Sequence, residues 1–278
     1  MTALRIHTYT AGEPGIFVNG YLLEAPDGVV LVDSTLLVSD AEALAARLAA
    51  LRKPLRAAFV THPHPDHVNG LPFVVSADVP VYATEAVATT IEQSADAKRA
   101  QWQPVYGDEW PDRHRTLDHL VDSGQTVEVA GLRVRVEEVG AGESHADSYL
   151  LVDAGGPPVA FIGDLAFHGV HSYTSDGHTG AWLNTVERLA VELDGIALYP
   201  GHGAVGDTGL LTRQRQYLLM YRETVRRLAA GAPRLTDAQR LELTAVMTRF
   251  LPGAALDWLI GLGADAVAQE LAVQPTAT

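Results

Sequence analysis

Apolar residues in the first third of the chain fall in short, strand-length runs. Between those runs the spacing becomes helical. Residues 4–35 divide into LRIHTYT, IFVNGYLLEA and GVVLVDS, read as strands, with Asp27-Gly28 as a hairpin-type turn signal between the last two. Residues 39–52, SDAEALAARLAALR, are rich in alanine and leucine and predict a helix that Ser39 or Asp40 could cap. LRAAFV at 55–60 returns to strand and leads into a loop over 61–66. A short helix is expected from about Asp66, in DHVNGLPFVV, then a strand at 79–84 and a helix over 85–98. This alternation predicts a layered α/β body.

Residues 99–120 break the rhythm and hold Trp102, Tyr106 and Trp110. Two readings stand: a cover over a substrate site, or a surface insertion tucked in by its aromatics. From residue 125, QTVEVAGLRVRVEEV alternates around Ala130-Gly131 and reads as a hairpin. SYLLVDA and PVAFIGD are two more strands, 182–192 is helical, and IALYP is a last strand. From about residue 210 the pattern is helical almost to the end, where VQPTAT should fray. Tyr217 and Tyr221 share one helical face, which favours packing over a place at a pocket mouth.

The chain has 278 residues, 47% of them hydrophobic, which fits one large globular body with appendages. Its formal net charge is -14, without a Lys/Arg-rich run, so a nucleic-acid partner is not expected. There are no cysteines, so any metal must be held by nitrogen and oxygen. No apolar stretch is long enough to span a bilayer, and MTALRIHTYTAGEPG lacks a basic segment followed by an apolar run. A cytoplasmic protein without membrane association is the expectation. A homodimer through the helical tail is suggested by the frequency of such dimers alone.

The densest chemistry lies in THPHPDHVNG, where His62, His64, Asp66 and His67 fall within six residues just after a strand. Four ionisable ligands so close together point to a metal, and the flanking prolines restrict the loop that carries them. Further ligand candidates stand downstream at strand ends or beside glycine: His145 in GESHADS, Asp164 in FIGDLAF and His202 in YPGHGAV.

These residues resemble the metallo-beta-lactamase fold superfamily, whose His-x-His-x-Asp-His motif is matched by His62, His64, Asp66 and His67. The resemblance spans about residues 16–205 and implies an αββα sandwich: two mixed sheets flanked by helices, here over 1–208, with 209–278 a helical extension packed on the same domain. It implies one ion on His62, His64 and His145, a second on Asp66, His67 and His202, and Asp164 between them. Asp33 matches the family's supporting aspartate. The third ligand usually follows glycine and precedes serine or threonine, whereas here it stands in Glu143-Ser144-His145-Ala146. Glu143 and Asp147 are read as turn residues or supports.

Imidazoles and carboxylates suit zinc, with manganese or iron as alternatives. The implied activity is hydrolysis of a small-molecule ester, lactone, thioester or amide by metal-bound hydroxide. Asp66 would orient the nucleophile and pass a proton to the leaving group. His171 or Tyr173, in the histidine-rich LAFHGVHSYTSDGHTGAW, would donate to an oxyanion or grip the substrate. The alternatives are a phosphodiesterase of the same fold, a mononuclear iron persulfide dioxygenase, and a non-catalytic metal-binding protein. A beta-lactamase would more often carry an export signal. No glutathione-binding signature of the glyoxalase II type stands in the tail.

Overall fold

A computed structural model of the protein describes residues 4–273. The final segment VQPTAT lies, apart from Val273, outside the described residues. In chain order β1 is Arg5–Thr10, β2 Asn19–Ala25, β3 Gly28–Val32, α1 Val38–Ala50 and β4 Leu55–Phe59. Two short helices follow, α2 at Pro65–Val68 and α3 at Leu71–Val74, then β5 at Val81–Ala83 and α4 at Glu85–Tyr106. The second half holds β6 His119–Leu120, β7 Thr126–Val129, β8 Leu132–Gly140, β9 Asp147–Asp153, β10 Val159–Gly163, α5 Thr179–Glu192 and β11 Ala197–Pro200. The tail is α6 Gly209–Ala229, α7 Asp237–Phe250, α8 Trp258–Leu262 and α9 Ala264–Val273.

The strands form two mixed sheets, ordered β1-β2-β3-β4-β5-β6 and β11-β10-β9-β8-β7. Side chains alternate across β2 and β3, so each sheet has two faces to bury. Tyr21, Leu23, Val30 and Val32 meet Val134, Leu150 and Phe161 of the other sheet. Leu22, Val29 and Leu31 point the opposite way, onto Leu44 of α1, Leu71 of α3 and Val87 of α4. That is why GVVLV is apolar without interruption: both of its faces are covered. The second sheet's outer face packs Ile162 and Leu198 against Trp182 and Val186 of α5 and Leu210 and Leu218 of α6. The result is the expected αββα sandwich with helices added at the C-terminal end.

The tail does not stand apart. Leu256 and Leu259 join the α5–α6 cluster, while Tyr217 and Tyr221 are buried with Leu243, Met247 and Ile260 among the tail helices. Both tyrosines therefore pack among the tail helices. Two local differences from the sequence reading matter for function. The helix expected over 85–98 runs on to Tyr106, carrying Pro104 near its end, and Gly107 stops it at φ 56°. The stretch 99–120 is thus mostly helix, followed by Trp110 packed on Leu36 and Leu37 and by the two-residue strand β6. No helix among the described residues is long and apolar enough to cross a membrane.

Candidate metal centre

Strands β3 and β4 run in parallel and end side by side, which puts Asp33 beside the histidine loop. Asp33 sits at φ 55°, a left-handed conformation that aspartate tolerates better than most residues. Its carboxylate accepts from the Thr61 N–H at 2.8 Å and the Thr61 hydroxyl at 2.7 Å, and from His67 Nδ1 at 3.0 Å. One side chain thereby fixes both ends of the loop.

Each neighbouring imidazole is held in the same manner, through the nitrogen that faces away from the centre. His62 Nδ1 meets the Thr61 hydroxyl at 3.0 Å, His202 Nδ1 the Ile16 carbonyl at 2.9 Å, and His64 Nε2 the Asp176 carboxylate at 3.1 Å. These partners can accept an N–H, which directs the opposite nitrogen of each ring toward the centre, where a metal would displace any proton it carries. Rings oriented in this way are what a metal centre requires.

The inward nitrogens converge on buried carboxylates in two adjacent sets. In the first, Glu143 Oε2 lies 2.9 Å from His64 Nδ1 and 3.7 Å from His62 Nε2. In the second, Asp66 Oδ2 is 3.3 Å from His67 Nε2 and 3.1 Å from His202 Nε2. Asp164 adds oxygens 3.4 Å from His67 and 3.3 Å from His202, and also lies 3.9 Å from His62 in the first set. Asp164 therefore stands between the two.

These atoms fit metal ions. His62 Nε2, His67 Nε2, Glu143 Oε1 and Asp164 Oδ1 are buried without a hydrogen-bond partner. Orphaned groups of this kind are costly unless something pairs with them. Ligands at about 2.0–2.1 Å from a tetrahedral zinc are roughly 3.3 Å apart, close to the separations seen here. His62, His64 and Glu143 form one potential metal-holding group, and Asp66, His67, Asp164 and His202 another. Asp33 also groups with His62 and His67, but its oxygens are occupied by Thr61 and His67 Nδ1.

The position of Glu143 corrects the sequence reading. His145 was expected as the third ligand of the first ion, but its side chain is 55% exposed and 3.7 Å from Asp176. Its Nδ1 is 2.6 Å from His178 Nε2 at the rim. The Asp147 carboxylate accepts from the Ser144 N–H and hydroxyl, both at 3.0 Å. The short loop held in this way turns Glu143 inward, 1% exposed, and leaves His145 outside. The signal lay in the chain: where the family places glycine ahead of the ligand, this sequence has Glu-Ser.

His171 is a second correction. It is buried, but Nδ1 pairs with the Tyr217 hydroxyl at 3.2 Å and its backbone N–H with the Ala255 carbonyl, so it faces the tail helices. Tyr173 does reach the cleft, with its ring 5.0 Å from that of His64. Its hydroxyl donates to Asp176 at 3.2 Å. His168 bonds the Ala204 carbonyl. No local pattern marks Asp176, because only the folded chain brings it to His64.

Close packing also explains the glycine before His202. A Cβ on Gly201 would overlap Asp164 Oδ1 and lie 2.7 Å from His67 Cε1. In the metal-free protein the carboxylates control the charge of the rings. Burial alone would depress His64 and His202, but Glu143 and Asp176 raise the first to about 10, and Asp164 and Asp66 raise the second to about 10. Burial, with the neighbouring His67, holds His62 well below its usual value.

Above the donor atoms lies a largely apolar cleft. Ile16 and Leu36 pack with Trp102 and Tyr106 of α4, Phe167 lies with Leu256 and Leu259 of the tail, and Trp102 meets Trp258; all of them line the cleft. The helical part of 99–120 thus lines the cleft, in a partnership with the tail that no local pattern announces. Asp33→Ala should weaken metal affinity by about 10–100-fold, as loss of an orienting partner does. Titration with a chromophoric chelator would measure it, and an unchanged affinity would show that the loop holds itself.

A family model described as the metallo-beta-lactamase superfamily matches residues 14–202. Among solved structures, a beta-lactamase domain protein from Burkholderia ambifaria is similar with a TM-score of 0.68 at 18% identity, covering 96% of this chain and 85% of that one. A metallo-beta-lactamase from Pontibacter korlensis gives 0.60 at 22% identity, covering 79% of this chain and 96% of its own. TTHA1623, crystallised in a di-iron-bound form, gives 0.56 at 25% identity, over 76% of this chain and 99% of that chain. In sequence, a linear primary-alkylsulfatase from Pseudomonas sp. is 32% identical over 77 residues; that match takes in 25% of this chain and 15% of the length of the relative.

Proposed function

The chain belongs to the metallo-beta-lactamase superfamily, and on that premise we propose that it is a binuclear zinc-dependent hydrolase of a small-molecule ester, with lactones, thioesters and amides as related substrates. The observation that carries the reading is the pair of adjacent donor sets, buried and unsatisfied, on the floor of an apolar cleft. His62, His64 and Glu143 would hold one ion, Asp66, His67 and His202 the other, with Asp164 between them. A pair of divalent ions there would activate water near neutral pH and polarise the group under attack. Nitrogen and oxygen donors suit zinc, and none of the chemistry proposed needs a redox step.

The chain's own residues supply the rest. Asp66 is held ionised by His67 and His202 against the effect of burial, so it serves as an acceptor that orients water. Phe167, Trp102 and Trp258 line the cleft and restrict bulk water, which strengthens the electrostatic contacts inside it. The proposed substrate is a small molecule, bound in the cleft lined by α4 and the tail; a cytoplasmic setting and a homodimer through the tail are part of the same proposal.

The sulfuric ester of an apolar alcohol is a second reading. It is supported by the match with the alkylsulfatase and by an apolar cleft with one lysine, Lys98, in its lining. The test is metal content of the purified protein together with turnover of a lactone, a thioester, a carboxylic ester, octyl sulfate and a phosphodiester. Two zinc ions per chain with acyl hydrolysis is the expected result. One iron with thiol-dependent oxygen uptake, or turnover of the phosphodiester alone, would overturn it; turnover of octyl sulfate alone would select the second reading.

A further inference from the structure

Helix α4 crosses the roof of the cleft, and its inward stripe is Lys98, Trp102 and Tyr106, spaced four apart on one helical face. Lys98 lies at the side of the first donor set, 3.8 Å from the Asp176 oxygen whose carboxylate holds His64. Tyr106 lies toward the second set, where the charge on Asp66 adds to burial in raising its hydroxyl. Trp102 sits between them, its ring 6.2 Å from both Tyr106 and Trp258. Polarity therefore changes along the roof, from an ammonium at one end to an aromatic box at the other.

The ammonium is held in place from behind. Its nearest polar partner is the Tyr173 hydroxyl at 3.4 Å, and that hydroxyl donates onward to Asp176. It also lies 5.3 Å from the centre of the Tyr173 ring. An ammonium has three N–H donors, and Tyr173 and Asp176 occupy at most two. Lys98 is only 18% exposed and lines the cleft, which leaves a donor for a ligand that fills it. Every other charged side chain lining that cleft besides its histidines is a carboxylate: Asp66, Glu143 and Asp164.

We infer that Lys98 is a specificity-determining residue. It would bind an anionic oxygen on a substrate whose apolar arm lies among Trp102, Tyr106 and Trp258. The ligand class is a small amphiphilic anion, with its charge beside the reacting group and an alkyl or aryl arm of modest length. Tyr173 and Asp176 are positioning residues for the ammonium, and Asp176 couples it to His64. This inference rests on the hydrolase reading for the word substrate, but the binding itself does not.

The test uses metal-loaded protein and ligands that are not turned over: octanoate, octylphosphonate and 1-octanol, with affinities from calorimetry. Octanoate shares its carboxylate with an acyl product and octylphosphonate does not, so the two separate product mimicry from general anion binding. Lys98→Met should weaken both anions about tenfold and leave octanol within twofold. Lys98→Arg should restore the anions to within threefold. Octanoate loss without octylphosphonate loss would narrow the site to carboxylates and still support Lys98 as the anion contact. Failure of either anion to bind the wild type, equal affinity in Lys98→Met, or an equal loss for octanol would overturn the inference. Lys98-dependent binding with no hydrolysis of any ester would instead count against the hydrolase reading alone.

Discussion

Replacing Glu143 with alanine should weaken metal binding at the first donor set by on the order of 100-fold and lower hydrolysis at least as much, whereas His145→Ala should leave both within threefold. The magnitude follows from the number of donors. Structural zinc sites bind with about 10–16 kcal/mol, or roughly 3 kcal/mol for each of four ligands, and about 1.4 kcal/mol is tenfold. Glu143 offers two buried oxygens, one 2.9 Å from His64 Nδ1 and the other without a hydrogen-bond partner. His145 offers an exposed ring already paired with His178. Glu143→Gln separates charge from shape: it keeps an oxygen in place but removes the negative charge, and should fall between alanine and wild type. Titration of each metal-free variant with zinc, followed by turnover of the best ester, checks all three. A large loss in His145→Ala with little in Glu143→Ala would show that metal binding rebuilds the loop around Ser144 and brings His145 in.

That contrast also marks how far the sequence could be read. His62, His64, Asp66 and His67 stand together because the strand before them ends in a proline-restricted loop, a local arrangement that the chain displays directly. Asp164 and His202 follow strands β10 and β11, whose apolar runs were equally plain, and the structure brings both to the histidine loop. The choice between Glu143 and His145 was of another kind. It depends on whether a short loop turns one residue earlier or later, and Asp147 decides that through Ser144. His171 was misread for a similar reason: density of histidine in a segment says nothing of the direction each ring takes, and Tyr217 draws this one into the tail. The cleft wall was least legible. Trp102 and Trp258 lie far apart in the chain and meet only because the tail folds back over α5 and α6. Helical spacing could place Lys98, Trp102 and Tyr106 on one face, but not above which site.

Removal of metal by a chelator should lower the thermal midpoint by on the order of 15 °C at neutral pH, and the difference should widen as pH rises from 6 to 9. Two sites filled at about a thousand times their dissociation constant contribute roughly 4 kcal/mol each. A domain of this size shifts by about 2 °C per kcal/mol. The pH dependence follows from the charges left behind. In the metal-free protein His64 and His202 titrate at about 10, above the ordinary imidazole value. A raised imidazole stabilises the fold fully below about 6.5, and that contribution is lost as pH climbs toward 10. Burial raises Glu143 above an ordinary carboxylate, which also makes the metal-free fold less stable once that group must ionise. Burial lifts Asp147 to about 6, so its effect is largely spent by the start of the range. The depressed carboxylates Asp66 and Asp164 are ionised throughout and add no slope. Metal binding runs the other way, because protons compete with the ion for the same nitrogens and carboxylates. The metal-free midpoint should therefore fall between pH 6 and 9 while the loaded protein gains affinity for its ions. Calorimetric scans with and without chelator at pH 6, 7.5 and 9 measure the gap. A gap that stays constant or narrows would mean that the buried carboxylates and imidazoles do not exchange their protons for metal, and would remove the physical basis for two ions at this centre.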